Sequence, residues 1–255
     1  MSTKQATYMI DESLTIPKSI LLDLDNTILA SRQTFTECWT NLCNKHAPRI
    51  NGIAPPELLT AIYENIQWFM KDPERNHWGR IHPFQANREV IARAFHHLGV
   101  HDTDLVIEIA DEYHAEQIQA IQPFPGAIET IRHFRKMGIQ LALITNGSKR
   151  IQRSKIDKFK LGRFFDHILI EAEFGKGKPD KEVYLHTLNQ LGTTPQEAWM
   201  IGDNLELDVA APQRLGIFSI WNDFQHAGLP DNAATRPDKV IHSLSELAAY
   251  FDFVG

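Results

Sequence analysis

Ser19-Ile-Leu-Leu-Asp-Leu-Asp-Asn-Thr-Ile28 is the stretch from which the fold of this chain can be inferred. Residues 19–24 are mostly apolar, which is typical of a short buried β-strand. The polar residues after them predict the loop that leaves this strand. Asp23, Asp25 and Thr27 are therefore expected at the carboxyl end of a strand, where open parallel sheets bind their ligands.

A helical block follows this strand in residues 32–121. Apolar residues such as Phe35, Trp39 and Leu42 recur there at helical spacing, and proline- or glycine-containing breaks divide the block into four predicted helices. From residue 122 onward helices and strands alternate, which predicts a parallel sheet covered on both faces. We predict a Rossmann-like α/β core and an all-helical cap inserted after its first strand. The predicted limits are a lead-in at 1–18, the core at 19–31 and 122–255, and the cap at 32–121.

Polar residues also follow three later predicted strands, at 139–144, 167–170 and 199–201. The chemically informative ones are Thr145, Asn146, Gly147, Lys178, Asp203, Asn204 and Asp208. Because the carboxyl ends of parallel strands share one edge of a sheet, we expect these side chains to converge with Asp23 and Asp25.

This set of side chains suits phosphoryl transfer to a carboxylate. Mg²⁺ prefers hard oxygen ligands, and a carboxylate such as Asp23 can also attack phosphorus to form an aspartyl-phosphate. Asp25 can protonate the leaving oxygen and then activate water, for which its pKa would have to exceed the value of about 3.9 for free Asp. A lysine and a hydroxyl, here Lys178 and Thr145, would neutralise the charge on the phosphoryl group.

The four segments resemble the signature motifs of the haloacid dehalogenase (HAD) superfamily. Asp23-Leu-Asp25-Asn-Thr27 is similar to its first motif, Asp-x-Asp-x-Thr, and Gly202-Asp203-Asn-Leu-Glu-Leu-Asp208 is similar to its fourth. Thr145-Asn-Gly147 and the lysine before Pro179 are similar to the second and third, with Lys176 as the other candidate lysine. The helical block resembles the cap of the subfamily with phosphoglycolate phosphatase-like and nucleotidase-like members.

The resemblance implies a role for each matching residue. Asp23 would be the nucleophile and a Mg²⁺ ligand, Asp25 the general acid and base and a ligand through its backbone carbonyl, and Asp203 the remaining protein ligand. The phosphate-binding residues would be Thr145, Asn146, Gly147 and Lys178. Thr27, Asn204 and Asp208 would organise the site without binding the metal. Cap residues Arg80, His82 and Arg88 are candidates for recognising the leaving group of a small phosphorylated substrate.

Bulk properties limit the partners and the compartment. The 255 residues carry a formal net charge of −6, which does not favour binding to nucleic acid or to an anionic membrane. Cys38 and Cys43, five residues apart in a predicted helix, are poorly placed to form a disulfide. No stretch approaches the roughly 20 apolar residues of a membrane span. We expect a cytoplasmic monomer or homodimer.

Three other functions are compatible with part of this sequence pattern. A phosphosugar mutase would share the first motif and the cap type, and the residues do not exclude it. A 2-haloacid dehalogenase would use the same first aspartate, but halide leaves without a proton, so Asp25 favours a phosphatase. A non-catalytic binding protein would have no need of Asp23, Asp25 and Lys178, and all three are present.

Overall fold

A sheet of six parallel strands forms the centre of the fold. The computed structural model describes residues 16–50 and 52–254, so residues 1–15 of the predicted lead-in lie outside the described residues. The strands are β1 (Ser19–Leu22), β2 (Gln140–Thr145), β3 (His167–Ile170), β4 (Ala198–Gly202), β5 (Phe218–Asn222) and β6 (Lys239–Ile241). Their order is β3-β2-β1-β4-β5-β6, so the first strand lies between β2 and β4.

Helices account for most of the remaining described chain. The α-helices are α1 (Ser31–His46), α2 (Pro55–Lys71), α3 (Pro73–Ile81), α4 (Pro83–His97), α5 (Thr103–Ala120), α6 (Ala127–Lys136), α7 (Lys149–Lys158), α8 (Glu171–Phe174), α9 (Lys181–Leu191), α10 (Ala211–Gln213) and α11 (Ser245–Val254). None of the described helices is both long and apolar enough to cross a lipid bilayer.

Both faces of the sheet are buried, as expected for parallel strands. On β1, Ile20 and Leu22 belong to one hydrophobic core, which includes Ile131 of α6 and Leu247 of α11. Leu21 points the other way because side chains alternate along a strand, and it packs in a second core with residues of α9. The predicted α/β class with helices on both faces is confirmed.

The block predicted as the cap, 32–121, contains five α-helices, α1–α5, and the predicted number of four was wrong. The missed helix is α3, whose sequence is mostly polar and gives little apolar periodicity. Asp72 caps it by accepting a hydrogen bond from the Arg75 N–H. Gly79 is the residue of α3 that is buried, and it packs against Phe69 of α2.

The helices α1–α5 have a hydrophobic core of their own. Trp39 of α1 stacks on Tyr113 of α5 with ring centroids 4.1 Å apart, and Ile62 and Phe95 are buried in the same cluster. Cys38 and Cys43 are buried there as free thiols, in line with their spacing. The exact domain limits at 31–32 and 121–122 stay a prediction.

Two other segments differ from the predicted elements. Apolar periodicity over residues 205–215 predicts one continuous helix, but this segment begins as a π-helical stretch, Leu205–Ala210, and continues as α10. The sequence pattern also predicts a loop between β3 and Lys178, but the short helix α8 lies directly after β3. Both differences lie at carboxyl ends of strands and affect which side chains reach that edge.

Candidate active site

Asp23 lies one residue beyond β1 and is almost fully buried. The ammonium group of Lys178 contacts its Oδ1 atom at 2.7 Å and the Oδ1 atom of Asp208 at 2.6 Å. Burial alone would lower the pKa of Lys178, but the charges of Asp208 and Asp23 hold it above its usual value. Three side chains from separate strand ends thus form one buried ion-paired cluster.

Asp203 completes a group of three carboxylates at this edge. Oxygen atoms of Asp23, Asp203 and Asp208 all lie within 4.8 Å of one another. Burial, reinforced by this mutual repulsion, raises the pKa of Asp23 to about 8 and that of Asp203 to about 6. Buried carboxylates that raise each other's pKa suit a divalent cation, which would supply the opposing charge through hard oxygen ligands. The donor set therefore fits a metal ion.

Asp208 and Asn204 support this cluster from the segment after β4. The backbone N–H of Asn204 donates to Asp208 Oδ2 at 3.1 Å, so both carboxylate oxygens of Asp208 accept hydrogen bonds from the protein. The Asn204 side chain accepts hydrogen bonds from Glu206 and Leu207 and caps the π-helical segment. Thr27 donates a long hydrogen bond of 3.4 Å to Asp23 Oδ2.

Asp25 has a different environment from Asp23. Lys155 of α7 contacts both of its carboxylate oxygens, at 2.7 and 2.8 Å, and Ser31 and Gln152 also donate to it. Burial would raise the pKa of Asp25, but Lys155 and these hydrogen bonds hold it below its usual value. This is opposite to the raised pKa that an acid role predicts. The difference is due to Lys155, which no feature of the sequence places beside Asp25.

The loop after β2 holds in place the loop that carries Lys178. The Asn146 side chain accepts from the Lys178 backbone N–H at 2.8 Å and donates to the Lys178 carbonyl at 2.7 Å. Thr145 accepts a hydrogen bond from Gln152, and the Gly147 N–H donates to Glu171 at 2.8 Å. Asn146 thus fixes the main chain that carries Lys178, and the phosphate-binding roles of the loop stay a prediction.

The cap candidates occupy three different surroundings. Arg80 donates to the buried Glu171 at 3.0 Å and so joins α3 to the first residue of α8. His82 lies at the end of α3, with its ring centroid 5.1 Å from that of Trp78. Arg88 pairs with Asp111 of α5. Arg80 therefore lies nearest to the catalytic edge, and the specificity role of all three stays a prediction.

Sequence reasoning missed the donors and acceptors that helices bring to this edge. Lys155 and Gln152 lie in α7, a helix whose polar sequence singles out neither of them, and Glu171 is the first residue of α8, where the sequence pattern predicts a loop. A weak signal existed for the first two, because their spacing of three places them on the same side of a helix. Which side faces Asp25 could be read only from the packing.

We predict that Gly202→Ala destabilises the protein. A Cβ atom on Gly202 would lie 2.2 Å from the carboxylate carbon of Asp208, which is buried and held from two sides. Overpacking of this kind lowers the free energy of unfolding by about 1–3 kcal/mol, measurable by urea titration. Gly162→Ala is the matched control, because the nearest atom to its Cβ would be 3.9 Å away. Equal stability of the two variants would contradict the close approach at Gly202.

The fold and site define an α/β protein with a carboxylate-rich site at the carboxyl edge of its sheet. The chain belongs to the haloacid dehalogenase-like hydrolase family, whose model matches residues 17–216. It is 24% identical over 241 residues to a glyceraldehyde 3-phosphate phosphatase from Methanopyrus kandleri. The aligned region covers 91% of this chain and 98% of that relative. It is 26% identical over 237 residues to a phosphoglycolate phosphatase from Pseudomonas putida, covering 91% of this chain and 79% of the relative.

A solved structure shows that this fold also serves another chemistry. The 2-haloacid dehalogenase from Pseudomonas syringae superposes with a TM-score of 0.64 at 22% identity, covering 94% of this chain and 100% of that one. At this identity the likeness concerns the fold alone. The choice between phosphoryl transfer and dehalogenation therefore depends on the residues of the site.

Proposed function

We propose that this protein is a Mg²⁺-dependent phosphatase that hydrolyses a small phosphomonoester through an aspartyl-phosphate at Asp23. The observation that carries the proposal is the position of Asp25. Gln152 donates to both Asp25 and Thr145, so the carboxyl group lies within two hydrogen-bond lengths of the proposed phosphate-binding hydroxyl. A dehalogenase has no use for a proton donor at this point, because halide leaves unprotonated. The phosphatase names of the two curated relatives support the same choice.

The proposed reaction has two steps at one carboxylate. Asp23 attacks phosphorus, the bond to the leaving oxygen breaks, and Asp25 gives that oxygen its proton. Water then attacks the aspartyl-phosphate while the Asp25 carboxylate takes a proton from it, which releases phosphate and restores Asp23. Lys178 and Thr145 would bind the phosphoryl oxygens whose charge must be neutralised in both steps.

Asp23, Asp203 and the backbone carbonyl of Asp25 would hold Mg²⁺, with Asp208 orienting Lys178 behind them. The ion, when bound, supplies positive charge to the phosphoryl oxygens and favours the ionised form of Asp23. This agrees with the hydrogen bonds of Asp208, since both of its oxygens already accept from protein groups.

The leaving group would lie in a cavity of about 530 Å³ next to Asp25. One wall is formed by helices of the proposed cap, 32–121, and it is largely apolar; it includes Phe35, Tyr63, Ile66 and Met70. Lys155 and Arg32 also line the cavity. Arg80, His82 and Arg88 are not among its lining residues. Arg80 instead lines a second cavity, of about 300 Å³, together with Glu171 and Lys178.

The proposal is tested with purified protein, Mg²⁺ and two sets of substrates. We expect slow phosphate release from p-nitrophenyl phosphate, and faster release from at least one member of a panel of phosphoglycolate, sugar phosphates and nucleoside monophosphates. Absence of phosphate release from every substrate would overturn the phosphatase. Halide release from 2-chloropropionate would indicate a dehalogenase, and phosphate exchange within a sugar phosphate without net release would indicate a mutase.

We predict that chelation by EDTA abolishes this activity and that added Mg²⁺ restores it. Asp203→Asn removes one proposed ligand and should raise the half-activating Mg²⁺ concentration by at least about tenfold. Mg²⁺ should also raise the thermal midpoint of the wild type more than that of Asp203→Asn, because a ligand stabilises the state that binds it. Asp231→Asn, at an exposed position, is the control and should behave like the wild type. Full activity in EDTA would contradict the metal site.

A further inference from the structure

Lys155 is a buried cation whose position relative to Asp25 no motif explains. Its side chain is 7% exposed, and its ammonium group contacts the two Asp25 oxygens at 2.7 and 2.8 Å. A buried ammonium is costly unless it is paired, and here the pairing partner is the proposed acid and base. The contact joins residues 130 positions apart in the chain, so it is a product of the tertiary fold.

Gln152 extends this contact to the phosphate-binding loop. It lies three residues before Lys155, on the same side of α7. Its amide nitrogen lies 2.9 Å from Asp25 Oδ2 and 3.0 Å from the Asn146 carbonyl oxygen, and it also contacts the Thr145 hydroxyl, so its two N–H groups are shared among these acceptors. One side of α7 therefore holds Asp25 and the loop after β2 at a fixed separation.

A third side chain, that of Ser31, holds the same carboxyl group. Ser31 is the first residue of α1, and its hydroxyl donates to Asp25 Oδ1. Asp25 thus accepts hydrogen bonds from three side chains of two helices, Lys155, Gln152 and Ser31. Of these, Lys155 contacts both oxygens, so it restricts rotation of the carboxyl group most directly.

We propose that Lys155 is a positioning residue that holds Asp25 at the leaving oxygen during catalysis. The proposal rests on the phosphatase function and on the acid role of Asp25. Lys155 and Asp25 both line the cavity proposed for the leaving group, so their ion pair lies where that group would depart. With Lys155 in place, the carboxyl group keeps one orientation as it gives its proton to the leaving oxygen and later takes one from water.

The proposal is tested with three aryl phosphates of similar shape and increasingly basic leaving groups: p-nitrophenyl, phenyl and p-methylphenyl phosphate. p-Nitrophenolate leaves without a proton, whereas the other two leaving groups need one. kcat/KM covers only the steps up to departure of the leaving group, so its decrease along the series reports on the acid. The variants are Lys155→Met, Lys155→Gln, Lys155→Arg and Asp25→Asn. Lys149→Met is the control, because Lys149 lies in the same helix with its side chain 72% exposed.

We expect Lys155→Met and Lys155→Gln to lower kcat/KM for phenyl and p-methylphenyl phosphate by about tenfold to a hundredfold more than for p-nitrophenyl phosphate. Asp25→Asn should show the same dependence on the leaving group more strongly. Lys155→Arg should restore most of the lost activity, since it keeps a cation that can contact both oxygens. Lys149→Met should follow the wild type.

The failures of the two proposals can be told apart. If Lys155→Met and Lys155→Gln lower kcat/KM by the same factor for all three substrates while Asp25→Asn does not, Lys155 has only a structural role and the positioning proposal is overturned. If Asp25→Asn itself shows no dependence on the leaving group, the acid role of Asp25 fails and the positioning proposal fails with it. Circular dichroism melts identify a variant that does not fold, and Lys155→Gln and Lys155→Arg then decide the question.

Discussion

Asp23→Asn is expected to abolish phosphate release, lowering kcat by about 10³-fold or more, as removal of a catalytic nucleophile does. The amide has nearly the shape of the carboxylate but cannot attack phosphorus and is a poor metal ligand. Residual activity is measured with p-nitrophenyl phosphate and with the best substrate of the panel, at saturating Mg²⁺. Activity within a factor of about ten of the wild type would exclude Asp23 as the nucleophile.

The same variant should remain folded. Burial raises the pKa of Asp23 to about 8, so the structure already disfavours the negative charge there. A neutral amide relieves repulsion with Asp203 and Asp208, and Lys178 keeps Asp208 as its ion-pair partner. We expect its thermal midpoint without metal to be no lower than that of the wild type. Asp157→Asn, an exposed substitution in α7, controls for the change from acid to amide and should retain full activity.

Lys178→Met should combine a large loss of activity with a loss of stability. It removes the ammonium group that contacts both Asp23 and Asp208, and leaves two buried carboxylates without their cation. Removing one partner of a buried ion pair costs about 3–5 kcal/mol in the free energy of unfolding. The variant also lacks the lysine that is proposed to bind the phosphoryl group. We therefore expect kcat/KM to fall by about 10²-fold or more.

Lys176→Met is the matched control, two residues earlier in the same loop. The Lys176 side chain is 44% exposed and pairs with Asp180 and Glu182, which are themselves partly exposed. Exposed ion pairs contribute about 0–1 kcal/mol, so this variant should keep nearly the full stability and activity. Activity lost in Lys176→Met and kept in Lys178→Met would reverse the assignment of the lysine.

The order of helices and strands could be predicted from the sequence because apolar periodicity reports directly on burial. The errors in this prediction of helices and strands have local causes. The helix α3 was missed because its polar composition hides its one buried position, Gly79. The helix after β4 was predicted as continuous because periodicity does not distinguish a π-helical segment from an α-helix.

Some features of the site could likewise be predicted from the sequence, and others could be seen only in the structure. Strand positions read from the sequence alone predict that Asp23, Thr145, Lys178 and Asp203 meet at one edge, because each lies at the end of a strand or in the segment after it, and parallel strands end together. The sequence could not determine the environment of Asp25. Lys155 belongs to a helix that packs beside this edge, and the orientation of a helix about its axis is fixed by the surfaces it packs against. The pairing of Lys155 with the proposed acid and base is therefore a result of helix packing, which the sequence pattern does not report.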